Sequence, residues 1–161
     1  GISIGQVFFQ SAVKEKEKTG GARIIFKSTV KKLFIIALPF FVVLFFVVED
    51  LFAFVFGDSW RIAGTYSQIL IPLFFIKLLS SPVSMINTVF EKQIYGLYIS
   101  IILLLSNIGI IIGSYYFELE PISMFTILSI VLFIEYSLFL IHYYLLSGGD
   151  YISRIFSGTT D

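Results

Sequence analysis

The sequence predicts an all-α fold, a polytopic transmembrane helix bundle with four full spans and the end of a fifth. Two observations predict it. Four apolar runs, near residues 30–48, 64–90, 94–115 and 122–146, are each long enough as helices to cross a hydrocarbon core of about 30 Å. The segments between them also alternate in charge. Lys14, Lys16, Lys18, Arg23, Lys27, Lys31 and Lys32 precede the first run, whereas Glu49, Asp50 and Asp58 follow it. The third segment carries Lys92, the fourth Glu118 and Glu120, and the tail Arg154. Lys and Arg stay in cytoplasmic loops. An up-down-up-down path therefore puts 14–32, 91–93 and the C-terminal tail in the cytoplasm and 49–61 and 116–121 outside.

Composition agrees. The chain is 57% hydrophobic and 14% charged, against about 25% charged in soluble domains, which excludes the water-soluble class. Net charge is zero, and nothing in the sequence points to nucleic acid. There is no cysteine and a single histidine, so neither a disulfide, nor a thiolate metal site, nor a His-rich one is expected. No cofactor is expected either. The early residues lack a basic leader followed by an apolar core, which argues against a cleavable signal peptide.

Residues 1–13 are apolar but too short to cross, and read as the last turns of a span whose start is missing. The chain is therefore expected to be the C-terminal part of a longer protein. Residues 14–23 read as a solvated loop or frayed helix end, broken by Gly20 and Gly21. A full span is expected over 24–48, with Lys27, Lys31 and Lys32 on one face in the headgroups and Pro39 inside it. An outer turn over 51–64 follows, with Trp60 and Arg61 placed as interfacial anchors. The next spans are expected at 62–90, 94–115 and 122–146, and 147–161 as a tail.

The second of these spans is the most polar. Lys77 lies sixteen positions past Arg61, about 24 Å down a helix. A lysine that deep costs roughly 2.5–3.5 kcal/mol, so it faces a polar cavity or snorkels to the interface. Ser81, Ser84 and Thr88 follow it at helical spacing, with Asn87 beside them. Glu135 lies fourteen positions past Pro121, about 21 Å below the same boundary. Lys77 and Glu135 therefore sit at matched depth. They read as the charged wall of a substrate path, as a structural ion pair, or as a lysine beside a protonated acid. His142 shares a face with Glu135 and sits near the boundary, where an interfacial anchor is its plainer reading. Asn107 is expected to bond across helices, and Gly109 and Gly113 form a G-x-x-x-G spacing that suits close helix packing. No nucleophile with a base, phosphate loop or paired aspartates appears, so no enzyme is expected.

The stretch ALPFFVVLFFVVEDLFAFVFGDSW (37–60) resembles a segment of polysaccharide biosynthesis proteins, with F-G-x-x-W at Phe56, Gly57 and Trp60. These are lipid-linked oligosaccharide flippases of the multidrug/oligosaccharidyl-lipid/polysaccharide exporter superfamily. AGTYSQILIPLFFIKLLSSPVSMINTVFEKQ (63–93) is similar to their following span and its short Lys-Gln loop, and GQVFFQSAVKEKEK (5–18) to the end of the preceding one. The resemblance implies a two-bundle transporter of twelve or more spans in the bacterial inner membrane, with both termini cytoplasmic. It would work by alternating access on an undecaprenyl-linked oligosaccharide, together with the missing N-terminal half of the same chain. Lys77 and Arg61 would face the diphosphate. Two alternatives stand beside it: a sibling multidrug or peptidoglycan-precursor exporter, and a non-transporting membrane scaffold.

Overall fold

The computed structural model describes residues 3–149, and these are all-helical, with no strand among them. The elements are α1 (Ile4–Thr19), α2 (Arg23–Phe56), a 3-10 turn (Asp58–Trp60), α3 (Arg61–Val83), α4 (Ile86–Val89), α5 (Gln93–Tyr116) and α6 (Pro121–Leu146). Four stretches are long and apolar enough to cross a membrane: Arg23–Phe56, Asp58–Val89, Gln93–Tyr116 and Pro121–Leu146.

Of the two readings for residues 14–23, loop or helix end, the structure takes the second for 14–19, which are the last turns of α1. Ser3 opens α1 with a capping box closed by Gln6, and Gly20 ends it in the left-handed region at φ 77°. The charged turns are held by contacts the local sequence does not show. The Glu15 carboxylate accepts from the Ile24 and Ile25 N–H groups at 3.0 and 2.8 Å. Ala22 at the head of α2 has no side chain able to cap it, so Glu15 supplies the missing acceptor from the preceding helix.

Helix α2 runs for 34 residues, about 51 Å. It extends past the expected end at 48, so Glu49 and Asp50 lie on the helix instead of in a turn. The apolar stretch Leu51–Phe56 offers no breaker until Gly57 at φ 96°. The chain then reverses in one 3-10 turn, and α3 returns antiparallel. Gly64 makes this hairpin close: a Cβ there would lie 2.5 Å from the Glu49 Cα. Gln68 Nε2 donates to the Phe45 carbonyl at 2.7 Å, and Phe75 packs edge-on against Phe34 and Phe41.

The span expected over 62–90 is broken. Pro82 removes one backbone donor near the end of α3. After it the bonding tightens: the Asn87 and Thr88 N–H groups reach the Ser84 and Met85 carbonyls at 3.1 and 3.0 Å. A turn through Glu91, at φ 57°, leads into α5.

Helix α6 runs parallel to α3, with Ser129 Oγ donating to the Ile69 carbonyl at 2.7 Å. Helix α5 packs antiparallel on α6, also meets α4, and has few buried residues. Among the described residues nothing packs on Gly109 and Gly113, where a Cβ would meet nothing within 4 Å. The G-x-x-x-G spacing permits close packing, but no described helix lies against that face. The best-buried cluster gathers at the lysine-rich end, where Phe8, Ala12, Phe26, Val83, Ile86, Tyr143 and Leu146 meet. Ser147, assigned from sequence to the tail, is fully buried there, and its carbonyl accepts from the Ala22 N–H at 2.7 Å. Arg154 and the rest of the expected tail, from residue 150 on, lie outside the described residues.

Gly64→Val is expected to lower the stability of the detergent-solubilised protein by about 1–3 kcal/mol through overpacking. Gly109→Ala and Gly113→Ala, inside α5 with open space at Cβ, are expected to raise it by about 0.5–1 kcal/mol each. Thermal unfolding followed by circular dichroism separates the two.

Candidate functional site

A polar cleft of about 370 Å³ lies between α3, α4, α5 and α6. One wall carries Lys77, Ser81, Ser84, Asn87 and Thr88, and the facing wall carries Gln93 and Ser100. Tyr136 and Tyr143 of α6 close the back. The broken helix makes the first wall. Thr88 keeps the helical face of Lys77 and Ser81, and after the tightened turn at 84–85 the buried Asn87 lines the same cleft beside it. Gly96 lets α5 approach, since a Cβ there would meet Asn87 Nδ2 at 3.6 Å.

Lys77 makes no ion pair. Among the described residues, ion pairs link only Arg61 with Asp50 and Asp58. Asn87 is buried, and its Oδ1 has no hydrogen-bond partner. The cleft thus presents an ammonium, several hydroxyls and two amides, with no carboxylate in its lining. Ser84 and Ser100 already donate to the Ser81 and Gly96 carbonyls, which leaves the Lys77 ammonium, the Ser81 and Thr88 hydroxyls and the amide N–H groups to meet a phosphate, and the unpartnered Asn87 Oδ1 to accept from a sugar hydroxyl.

Of the residues singled out from sequence, Lys77, Ser81, Ser84 and Asn87 come together in this cleft; Arg61, Asn107, Glu135 and His142 do not line it. Arg61 lies at the opposite end, on α2's acidic residues. Asn107 does not bond across helices: its Nδ2 donates to the Leu103 carbonyl of its own helix at 2.6 Å. Glu135 does not pair with Lys77. Its Oε1 accepts from Ser106 Oγ of α5, and its Oε2 is buried without a partner. The reason is angular. Successive helix positions are turned by about 100°, so Tyr136 takes the face toward the cleft and Glu135 the face toward α5. His142 is half-buried between Tyr95 and Tyr143, with ring centroids 5.6 and 5.8 Å away.

Gln93, Ser100, Tyr136 and Tyr143 escaped the sequence reading. Their signals were present: Gln93, Gly96 and Ser100 recur at spacings of three and four, and Tyr136 and Tyr143 at seven. Among the described residues no group of His, Cys, Asp and Glu is placed to hold a metal. No family model matches the chain, and no curated protein or solved structure matches it significantly.

The Ser106–Glu135 contact is directly testable. Ser106→Ala leaves both carboxyl oxygens without a partner and should cost about 1–3 kcal/mol, whereas the double replacement Ser106→Ala with Glu135→Leu should recover most of that loss. Thermal unfolding of the four members of this cycle measures the coupling.

Proposed function

We propose that the protein is part of a membrane exporter that flips a lipid-linked oligosaccharide for surface polysaccharide assembly in the bacterial cell membrane. The observation that carries this reading is Lys77, a lysine within an apolar span, in a donor-lined cleft and without a carboxylate partner. Lys77 is exposed where it lines the cleft, and a cation kept at that depth in an apolar span is retained where a charged group meets it. A diphosphate-linked sugar answers the cleft on both counts, its phosphates to the ammonium and the Ser81 and Thr88 hydroxyls, its sugar hydroxyls to Asn87 Oδ1. The cleft lies at the lysine-rich end, where Lys16 and Arg23 also sit. In the positive-inside orientation that end faces the cytoplasm, where such lipids are assembled. Alternating access against a second bundle would expose the cleft to each side in turn. The resemblance of residues 37–60 to polysaccharide flippases points the same way.

A sibling exporter driven by cations is the second reading. Glu135 favours it, because its half-buried carboxyl keeps one oxygen, Oε2, without a hydrogen-bond partner. The two separate by mutation. Lys77→Ala is expected to reduce surface polysaccharide at least about tenfold, equivalent to about 1.4 kcal/mol, with Lys77→Arg retaining part of it. Glu135→Gln is expected to leave polysaccharide near normal. Drug tolerance that falls with Glu135→Gln while polysaccharide is unchanged in both variants would favour the sibling exporter.

A further inference from the structure

The break in the third span is more than an irregularity, because it separates two grooves. Thr88 and Met85 line the polar cleft on one side. The same two residues line a groove of about 420 Å³ against Gln6, Phe9 and Gln10 of α1 on the other. Between the two lies only residues 84–92: a four-residue helix and two turns. Such a short helix has no stability of its own. The turn that follows holds Glu91 at a positive φ of 57°, a conformation that disfavours a side chain.

Ile86 and Val89 anchor the apolar side of this partition in the buried cluster, and one polar contact from outside holds its C-terminal end. Lys16 of α1, itself half-buried, donates from Nζ to the Val89 carbonyl at 2.7 Å. Its ammonium also stands 5.0 Å from the Phe90 ring centroid. The Val89 carbonyl ends α4 and has no helical partner there, so the lysine satisfies an orphan acceptor while binding an aromatic face beside it. Glu17 and Glu91 flank the same place, and neither forms an ion pair with Lys16. The Lys16 side chain is therefore committed to the partition rather than to a neighbouring carboxylate.

We propose that Lys16 is the latch of a movable partition between the polar cleft and the α1 groove. Latched, it holds Asn87 and Thr88 in the wall of the cleft. Released, residues 84–92 swing away and the two spaces join, so that a bound amphipathic anion can extend from one into the other. The proposal rests on the reading of the cleft as a binding site, but the state of the partition can be measured independently of transport.

The chain contains no cysteine, so single cysteines report without background. Ile86→Cys places the probe on the partition at a fully buried position, and Leu132→Cys places a control in the α3–α6 contact at 6% exposure. Maleimide labelling is followed in membranes holding the full-length protein. With Lys16→Met, labelling at position 86 should rise about fivefold or more, the effect of releasing about 1 kcal/mol, while position 132 is unchanged. Lys16→Arg should restore protection. An unchanged rate at 86 overturns the latch. Equal rises at 86 and 132 overturn it as well, because Lys16 would then be holding the whole bundle. Loss of polysaccharide export without a labelling change counts against the latch and leaves the proposed function standing. A labelling change in a protein whose export survives Lys77→Ala counts against the proposed function and leaves the latch standing.

Discussion

In hydrocarbon, a polar group must find its partner inside the protein, and the architecture follows from that demand. Backbone groups meet it through long helices. Side chains meet it mostly by turning back on their own helix: Ser67, Ser100, Asn107, Thr126 and Ser137 each bond the carbonyl four residues earlier. Fewer bonds cross between helices, and those that do locate the contacts that matter. Gln68 joins α3 to α2, Ser129 joins α6 to α3, and Ser106 with Glu135 joins α5 to α6. Three buried side-chain atoms among the described residues have no partner, Asn87 Oδ1, Glu135 Oε2 and His142 Nε2; of these Asn87 lines a cleft together with Lys77, which makes no ion pair. That cleft is the place where the protein is prepared to meet something else.

The two ends of the bundle are built differently. At the acidic end α2 and α3 meet in a bare hairpin, closed by Gly64 and by Arg61 on Asp50, with side chains largely in the open. At the lysine-rich end five helices converge on the buried cluster around Val83 and Ile86. There the basic residues are structural members. Arg23 and Lys27 both stand 5.5 Å from the Tyr144 ring, and Lys16 is bonded to Val89. Positive charge thus ties α1 and α2 to the ends of α4 and α6.

Much of this was legible in the sequence because its largest signal is solvent choice. Length and hydropathy predict the four spans, and helical spacing predicts that Lys77, Ser81 and Ser84 share a face. What stayed hidden depends on neighbours distant in sequence. The helical state of 14–19 rests on Glu15 capping a different helix and Lys16 bonding residue 89. The break at 84–85 needed Pro82 to be weighed as a stop rather than as a tolerated kink. Depth alone paired Lys77 with Glu135, but depth carries no angle, and a turn of one residue sent the carboxylate toward α5. Spacing also gave no hint of Gly64, which has no motif and makes the close backbone contact within this chain, whereas Gly109 and Gly113 keep an open face.

The account stands on the lysine-rich and acidic ends lying on opposite sides of one bilayer. Cysteines placed singly at Lys18 and Asp58, both exposed, test this in intact cells with a membrane-impermeant thiol reagent. The prediction is labelling at 58 in intact cells and at 18 only after the membrane is opened. Labelling of both positions from the same side would contradict it.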